Sequence, residues 1–259
     1  LLAQYYYDEG KKYDPLKDTS NQYKIREAKN ICDNIIQKFP QSEGGINAQN
    51  LRQNILQPHI ALQTEKVNIP GIPFRTLVSY QNADTIFFRI IKVNDDFIFP
   101  VYDSNGNPAW DELLSRPAIT QWSVNLPDEK DYQTHRAEIK INALPPARYV
   151  LLACNDAAFN SKKNTFALQT FQVSNISYVK NNEGEYWVLN RESGRPLRDV
   201  KIKAWKNNYN YQTRQSGDTL IANLTTDRNG HFKLPDKKSY SVKLEFYTNN
   251  DTLWNDDYD

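Results

Sequence analysis

The chain has 259 residues, more than one domain usually holds, which predicts two or three folded units. Its 32 lysines and arginines balance 31 aspartates and glutamates with no long run of either sign, so nucleic acid is not expected as a partner. No apolar run approaches the roughly 18 residues that span a bilayer, so direct membrane insertion is not expected either. Because the sequence contains no methionine, we expect it to be part of a longer chain.

Residues 1–57 are predicted to be helical. Apolar residues recur there at three- and four-residue spacing, which places them on one helical face; they are Ala28, Cys32, Ile35, Ile36 and Phe39. Pro40 ends this helix and Ser42 caps the next one, whose predicted apolar face consists of Ile46, Leu51, Ile55 and Leu56. The stretch FPQSEGGINAQNL resembles the junction between helices of a tetratricopeptide-type repeat. One such repeat cannot bury its own face, so it needs neighbouring repeats or a sandwich to pack against.

Residues 58–173 are predicted to form a first β-sandwich, because the periodicity changes from helical to alternating near Pro58. Residues 86–93 are almost entirely apolar, as expected for a central strand that is buried on both faces. Residues 137–141 alternate between apolar and charged side chains, and residues 149–154 form a second apolar strand. These patterns predict antiparallel strands that share one core.

Turns separate the strands of this first sandwich. Residues 69–71 and residues 103–106 combine Pro, Gly, Asn and Asp in turn-forming order. The segment 100–117 interrupts the regular spacing and is predicted to be a long loop with a helical turn at residues 110–114. About seven strands are expected in total, a number that fits an immunoglobulin-like sandwich.

Residues 174–259 are predicted to form a second, smaller β-sandwich. Residues 186–189 form a short apolar strand. Val200, Ile202 and Ala204 then alternate with Lys201, Lys203 and Trp205. Residues 225–232 (TTDRNGHF) carry a hairpin signal between two extended segments. The polar residues 249–259 are expected to mark the boundary of a following domain, with Trp254 exposed to it. The predicted fold class is therefore mainly β, with two antiparallel sandwiches after a short helical hairpin and no parallel sheet.

The residues that could carry chemistry are few. His59, His135 and His231 are not spaced with Cys, Asp or Glu as a metal site requires, so no metal site is predicted. Cys32 and Cys154 each sit among apolar residues and are expected to be buried free thiols. No nucleotide-binding glycine motif or nucleophile motif occurs, so neither an enzyme nor a cofactor is expected.

The order of several motifs resembles the N-terminal portion of large bacterial alpha-2-macroglobulin-like proteins, with the Bacteroidetes-type members closest. The motifs are a Pro-Gly-x-Pro turn with the strand after it (residues 70–92), LPPARYVLLA (residues 144–153), VLNRESGRPLRDVKIKAW (residues 188–205) and TTDRNGHFKL (residues 225–234). Each motif alone recurs in many bacterial sandwiches, whereas their order and spacing are more specific. The resemblance covers most of residues 25–247.

The resemblance implies macroglobulin-like sandwiches in a periplasmic or membrane-anchored protein of the bacterial cell envelope, such as a lipoprotein. Such proteins trap proteases after cleavage of a bait region, many of them with a Cys-x-Glu-Gln thioester. That motif follows neither Cys32 nor Cys154. The chain is then expected to be a structural segment whose partners are the remaining domains of the same chain and, through the full-length endopeptidase inhibitor, the target proteases.

Two further expectations concern sugars. Thr85, Thr219 and Thr252 each follow Asp and precede an apolar residue, a pattern that resembles periplasmic O-glycosylation sites of Bacteroidetes. An alternative function is a carbohydrate-binding or adhesin-like module, for which aromatic residues would line one exposed sheet face. The tryptophans available for such a platform are Trp110, Trp122, Trp187, Trp205 and Trp254.

Overall fold

The computed structural model describes residues 1–94, 110–160, 164–210, 215–235 and 242–255. Three helices come first, namely α1 (Leu2–Gly10), α2 (Lys24–Lys38) and α3 (Glu43–Leu56). As predicted, α2 ends before Pro40 and Ser42 caps α3, where its hydroxyl oxygen accepts the backbone N–H of Gly45 at 3.0 Å. Residues 11–23 form turns instead of helix, because a run of Asp, Pro, Thr and Ser favours turn geometry there.

The inner faces of α2 and α3 are partly as predicted. Ala28, Cys32 and Ile55 are fully buried, but the predictions for Phe39 and Ile46 are wrong, since these side chains are 61% and 50% exposed. Phe39 lies past the last helical residue, with a φ of −139°, and Ile46 lies in the first turn of α3, beside the buried Gly45. A Cβ at Gly45 would come within 2.0 Å of the Phe39 carbonyl oxygen, so this close approach requires glycine.

The next strands form two facing sheets. The strands are β1 (His59–Thr64), β2 (Val67–Asn68), β3 (Phe74–Gln81), β4 (Thr85–Val93), β5 (Ala118–Asn125), β6 (His135–Ile141), β7 (Ala147–Cys154) and β8 (Phe166–Val173), with a short helix α4 (Trp110–Ser115) before β5. One sheet has the order β1-β3-β6 and the other β2-β8-β7-β4-β5. The pairings are antiparallel, as predicted, except for the two residue pairs of the short strand β2 with β8, which are parallel.

The central strand β4 explains why residues 86–93 are almost continuously apolar. Ile86, Phe88 and Ile90 face the core between the two sheets. Ile91 and Val93 face a second cluster, which Leu113 of α4 covers from outside. Because both faces are buried, the strand cannot alternate with polar residues, and the prediction of a doubly buried strand is confirmed. The predicted helical turn at 110–114 is also confirmed, whereas the predicted turn at 103–106 lies outside the described residues.

The remaining strands form a second pair of sheets. They are β9 (Ile176–Lys180), β10 (Glu185–Asn190), β11 (Lys201–Asn210), β12 (Gln215–Thr225), β13 (His231–Lys233), β14 (Val242–Tyr247) and β15 (Thr252–Asn255). The sheet orders are β13-β10-β9 and β12-β11-β14-β15. As the period of two predicts, Val200, Ile202 and Ala204 are buried while the intervening lysines point outward. The fold class is thus mainly β, with antiparallel sandwiches after a helical segment.

Two predictions for this part of the chain are wrong. The turn at residues 225–232 does not close a hairpin, because β12 and β13 belong to different sheets. Gly230 in this turn has a φ of +72°, and a Cβ there would lie 2.4 Å from the Val188 carbonyl oxygen. The segment predicted to be a domain boundary contains β15, which pairs with β14, and Trp254 on β15 is only 6% exposed.

Side-chain amides attach the helices to the first pair of sheets. The Nδ2 group of Asn82, in the turn between β3 and β4, donates to the carbonyl oxygens of Ile55 and Gln57 at 2.6 and 3.1 Å. It thereby satisfies backbone acceptors at the end of α3 that have no partner within the helix. The Nε2 group of Gln133 donates to the carbonyl oxygens of Gly10 and Gln22 at 3.0 and 3.1 Å.

Candidate functional site

The connection between the two pairs of sheets is a polar region in which several hydrogen bonds join residues that are distant in the sequence. Only Ser174 and Asn175 separate β8 from β9. Ser174 is completely buried and its backbone N–H donates to the Asn68 carbonyl oxygen at 2.9 Å. We call the linker and the side chains that hold it the junction; its residues are Gln172, Ser174, Asn175, Arg191, Asp251 and Trp254.

Arg191, just after β10, holds the linker from one side. Its Nε donates to the Ser174 carbonyl oxygen at 3.2 Å and its Nη2 to the Ile176 carbonyl oxygen at 2.9 Å. Its backbone N–H donates to the Asn175 carbonyl oxygen at 2.6 Å. Burial lowers the pKa of the guanidinium, an effect that the nearby Asp251 and Glu65 oppose. The five rigidly arranged donors of arginine suit this task, because they can bind two carbonyl oxygens at once.

Asp251 holds the linker from the other side. This residue lies between β14 and β15, and its Oδ2 accepts the backbone N–H of Asn175 at 2.7 Å. Burial raises the pKa of the Asp251 carboxyl group, while the N–H of Asn175 works in the opposite direction. The junction therefore contains a partly buried carboxylate, and this carboxylate holds the linker by accepting one of its N–H groups.

Gln172 joins β8 to β15 through its side chain. Its Nε2 donates to the Trp254 carbonyl oxygen at 2.6 Å, and its Oε1 accepts the Trp254 backbone N–H at 2.9 Å. The amide thus binds Trp254 through the same donor and acceptor pair that a neighbouring strand would provide. Because Gln172 is 8% exposed, water has little access to compete for these bonds. The pair fixes the last strand of the second core against the first.

A cleft of about 450 Å³ opens beside the junction. Three cationic side chains line it, those of Lys66, Arg148 and Arg191, and the guanidinium carbon of Arg148 lies 5.5 Å from the Trp254 ring centroid. The described residues that line the cleft include no His, Cys, Asp or Glu, the side chains that most often bind metal ions. Across the described ranges, no group of three or more such residues is placed to hold a metal ion.

The candidate modification sites are dispersed. Thr85 begins β4, where its hydroxyl donates to Oδ1 of Asn125 at 3.1 Å. Thr219 is exposed on β12, and Thr252 is half-buried at the start of β15, next to the junction residue Asp251. Their O-glycosylation stays a prediction, which mass spectrometry of the protein from its native host can test.

The histidines and cysteines occupy ordinary packing positions. His135 Nε2 lies 2.9 Å from Oδ1 of Asp131, in the group that attaches the helices to the first sandwich. Cys32 and Cys154 are both buried and free, which confirms their prediction. Burial raises the pKa of both thiols, so they stay protonated and poorly reactive.

The tryptophans do not form a common surface. Trp110 stacks on Phe166 and Trp122 stacks on Phe88, each with ring centroids 5.1 Å apart. Trp187 on β10 packs beside His231 on β13. Trp205 lies on β11 and Trp254 on β15. An exposed aromatic row on one sheet face, as a sugar platform needs, is thus not built by these five residues.

Sequence reasoning missed the junction. Gln172, Arg191 and Asp251 lie about 20 to 80 positions apart, so no local spacing connects them. The one available signal was Gln172 itself, a polar residue between Phe171 and Val173 in an otherwise buried strand end. Such a residue needs a hydrogen-bond partner inside the protein.

No protein-family model matches the chain, and no curated protein matches it. Among the described ranges, no helix is long and apolar enough to cross a membrane.

Two solved structures with similarity to the chain are of bacterial alpha-2-macroglobulins. A crystal structure of native alpha-2-macroglobulin from Escherichia coli spanning domains MG0-NIE-MG1 matches with a TM-score of 0.50 and 16% identity, over 77% of this chain and 64% of that one. Salmonella alpha-2-macroglobulin reacted with methylamine matches with a TM-score of 0.30 and 9% identity, over 77% of this chain and 16% of that one. The Escherichia coli match shows that this chain shares, over 77% of its length, the mainly β fold of macroglobulin domains.

Proposed function

We propose that the chain is a non-catalytic structural segment of a large bacterial alpha-2-macroglobulin-like protein that traps proteases. The observation that supports this most is the shared fold with the Escherichia coli protein over 77% of the chain. The ordered motifs at residues 144–153, 188–205 and 225–234 support the same family independently. Its partners would be the remaining domains of the same chain and, through them, the trapped proteases.

The junction supports an architectural role. A segment that forms part of a cage wall must keep successive sandwiches at a fixed angle, because domains joined by ordinary linkers move by default. Here Arg191, Asp251 and Gln172 bind a two-residue linker and the last strand from three directions. The proposed location is the periplasm or the membrane-anchored cell envelope, in keeping with the family that the sequence resembles.

The alternative, a carbohydrate-binding or adhesin-like module, has less support. Trp122 stacks on Phe88 in the core of the first sandwich, Trp110 stacks on Phe166 in the cluster under α4, and Trp254 belongs to the junction. A glycan array with the 259-residue chain would detect such a function directly.

The trapping role is tested by comparing this chain with the full-length protein from the native source. Broad-specificity proteases are incubated with each, and cleavage of a large protein substrate is measured beside cleavage of a small peptide. We expect the full-length protein to suppress only the cleavage of the large substrate, and the 259-residue chain to change neither. Trapping requires a switchable element that rearranges on cleavage, and the proposal assigns that element to the rest of the molecule.

Two results would contradict the proposal. If the 259-residue chain alone suppresses cleavage of the large substrate, this chain itself traps proteases. If both substrates stay fully cleavable with the full-length protein, that protein does not trap proteases, and this part of the proposed function is wrong.

A further inference from the structure

The strand β5 (Ala118–Asn125) has an edge that pairs with no other described strand. It is the last strand of the sheet β2-β8-β7-β4-β5 and forms backbone pairs with β4 only. Its sequence, AITQWSVN, contains no charged residue, no glycine and no proline. Thr120, Gln121 and Ser123 are exposed, and Ile119 is 49% exposed. Such an edge is a template for pairing with another strand.

The other edges in the described chain are protected. The strands β2, β13 and β15 have only two to four residues. The strand β6 alternates charged side chains along its length, while β9 ends in Lys180 and β12 contains Asp218. Although β1 has no Lys, Arg, Asp or Glu, it packs beside β8 of the facing sheet. The unprotected edge is thus specific to β5.

The geometry of β5 suits pairing. The register with β4 shifts at Ile90/Ile91, opposite Ile119, which leaves a regular run from Thr120 to Asn125. Trp122 and Val124 pack on the first core, so the strand is held in place from one face. The side-chain contacts of Gln121 and Asn125 go to Arg89 and Thr85 of β4, away from the open edge.

We propose that a second copy of this chain pairs with this edge, β5 against β5 in antiparallel orientation. In a twofold antiparallel pair, a residue at or next to the axis lies opposite or diagonal to its own copy, which is unfavourable where that residue is charged. Because β5 carries no charged residue, no like charges meet. The two five-stranded sheets then join into one continuous ten-stranded sheet, and the rows that contain Trp122 and Val124 continue across the contact.

The contact is expected to be weak. One strand edge buries clearly less surface than the roughly 800 Å² per partner of a stable dimer. The dissociation constant is therefore expected on the order of 0.1 to 1 mM. Such an affinity allows reversible association where copies are concentrated, for instance on one membrane surface, and leaves dilute protein monomeric.

Sedimentation equilibrium of the 259-residue chain tests the proposal, over concentrations from about 10 μM to about 1 mM, which bracket that affinity. We expect a monomer at the lower end and a monomer–dimer equilibrium at the upper end. Hydrogen exchange at both ends locates the contact, because backbone amides of residues 118–125 should gain protection with concentration while those of β1 should not.

A matched pair of lysine substitutions separates the edge from general charge effects. Ser123→Lys places like charges across the proposed contact and should weaken dimerisation at least tenfold, whereas Gln63→Lys adds the same charge at an exposed position of β1 and should not. Circular dichroism confirms that both variants fold. A chain that stays monomeric to about 1 mM, or a dimer equally affected by both substitutions, would overturn the proposal, as would concentration-dependent protection confined to strands other than β5.

Discussion

Asp227 and Asp251 both accept backbone N–H groups, yet their pKa values shift in opposite directions. Asp227 Oδ1 accepts the N–H groups of Asn229 and His231 at 2.8 and 2.9 Å on the surface, and these bonds lower its pKa. Asp251 accepts the N–H of Asn175 in the junction, where burial outweighs that bond and raises its pKa. The same interaction thus has a different pH dependence according to how much water surrounds it.

We predict that Asp251→Asn increases the free energy of unfolding at neutral pH. An aspartate whose folded pKa is raised stabilises the folded state most below the unfolded pKa of about 3.9, and this contribution is lost as pH rises through the folded pKa. The asparagine keeps an oxygen for the Asn175 N–H but never becomes a buried charge. Thermal melts from pH 4 to 8 should show a gain in melting temperature that grows with pH. The corresponding gain in the free energy of unfolding should be of the size expected for one buried charge.

The matched control is Asp227→Asn, for which the sign is reversed. The lowered pKa of Asp227 means that its carboxylate stabilises the fold above the unfolded pKa and loses this effect as pH falls. This variant should therefore have a slightly lower melting temperature than the parent at neutral pH and the same melting temperature in acid. If Asp251→Asn also melts earlier at pH 7, attraction between Asp251 and Arg191 outweighs the burial of the carboxylate.

At the level of single residues, the sequence predicts what depends on near neighbours. The cap at Ser42 was predictable because a hydroxyl before a helix needs only the N–H three positions on. The close packing at Gly45 and Gly230 was not, since the atoms that exclude a Cβ belong to Phe39 and Val188. For Gln172 the partner lies 82 positions away, and nothing in the local sequence identifies it.

Among the elements, β11 shows what the periodicity of the sequence can predict. The alternation from Val200 to Ala204 predicted one buried face, and all three apolar residues there are buried. Turn chemistry at residues 225–232 predicted a reversal correctly but not the partner strand, because Asp, Asn and Gly set a local bend and β13 pairs with β10 instead. For β15, polar residues around Trp254 concealed a strand whose burial depends on Gln172 and β14.

We predict that Ile202→Asp on β11 unfolds the second pair of sheets and leaves the first folded. Ile202 is 1% exposed in the second core, and an unpaired charge there costs several kcal/mol, a large part of a small domain's stability. Val188→Asp on β10 should act in the same way. Limited proteolysis should then release a stable fragment that ends near residue 175.

Lys201→Asp is the control for this experiment, because it places the same side chain on the exposed face of the same strand. Its proteolysis pattern should match that of the parent chain. If both pairs of sheets are digested together in Ile202→Asp, the two sandwiches form one cooperative unit, and the predicted division at residues 173–174 does not hold for folding.

In the whole molecule, the junction decides whether the two sandwiches move relative to each other. Modest polar contacts between domains usually permit motion. Here Arg191 donates to the carbonyl oxygens of the linker residue Ser174 and of Ile176 at the start of β9, and Asp251 accepts the N–H of Asn175. Side chains from two separate loops thus fix the linker backbone. Gln172 adds a contact between β8 and β15 that lies outside the linker.

The variant Gln172→Ala removes the side-chain contact between β8 and β15. In Gln172→Ala, the N–H and carbonyl oxygen of Trp254 lose their partners in a buried site, at a cost of about 1 to 3 kcal/mol for each unsatisfied group. Rotation of the second sandwich away from β8 would expose both groups of Trp254 to water, so the variant should favour that motion. Spin labels at Gln63→Cys and Asn223→Cys report the distance between the sandwiches, since Cys32 and Cys154 are buried and poorly reactive. We expect a narrow distance distribution in the parent chain and a broad one in Gln172→Ala. The control Gln169→Ala should stay narrow, because its lost side-chain bond goes only to the adjacent Thr170. Equal widths in all three chains would mean that the linker alone, through Arg191 and Asp251, holds the sandwiches at a fixed angle.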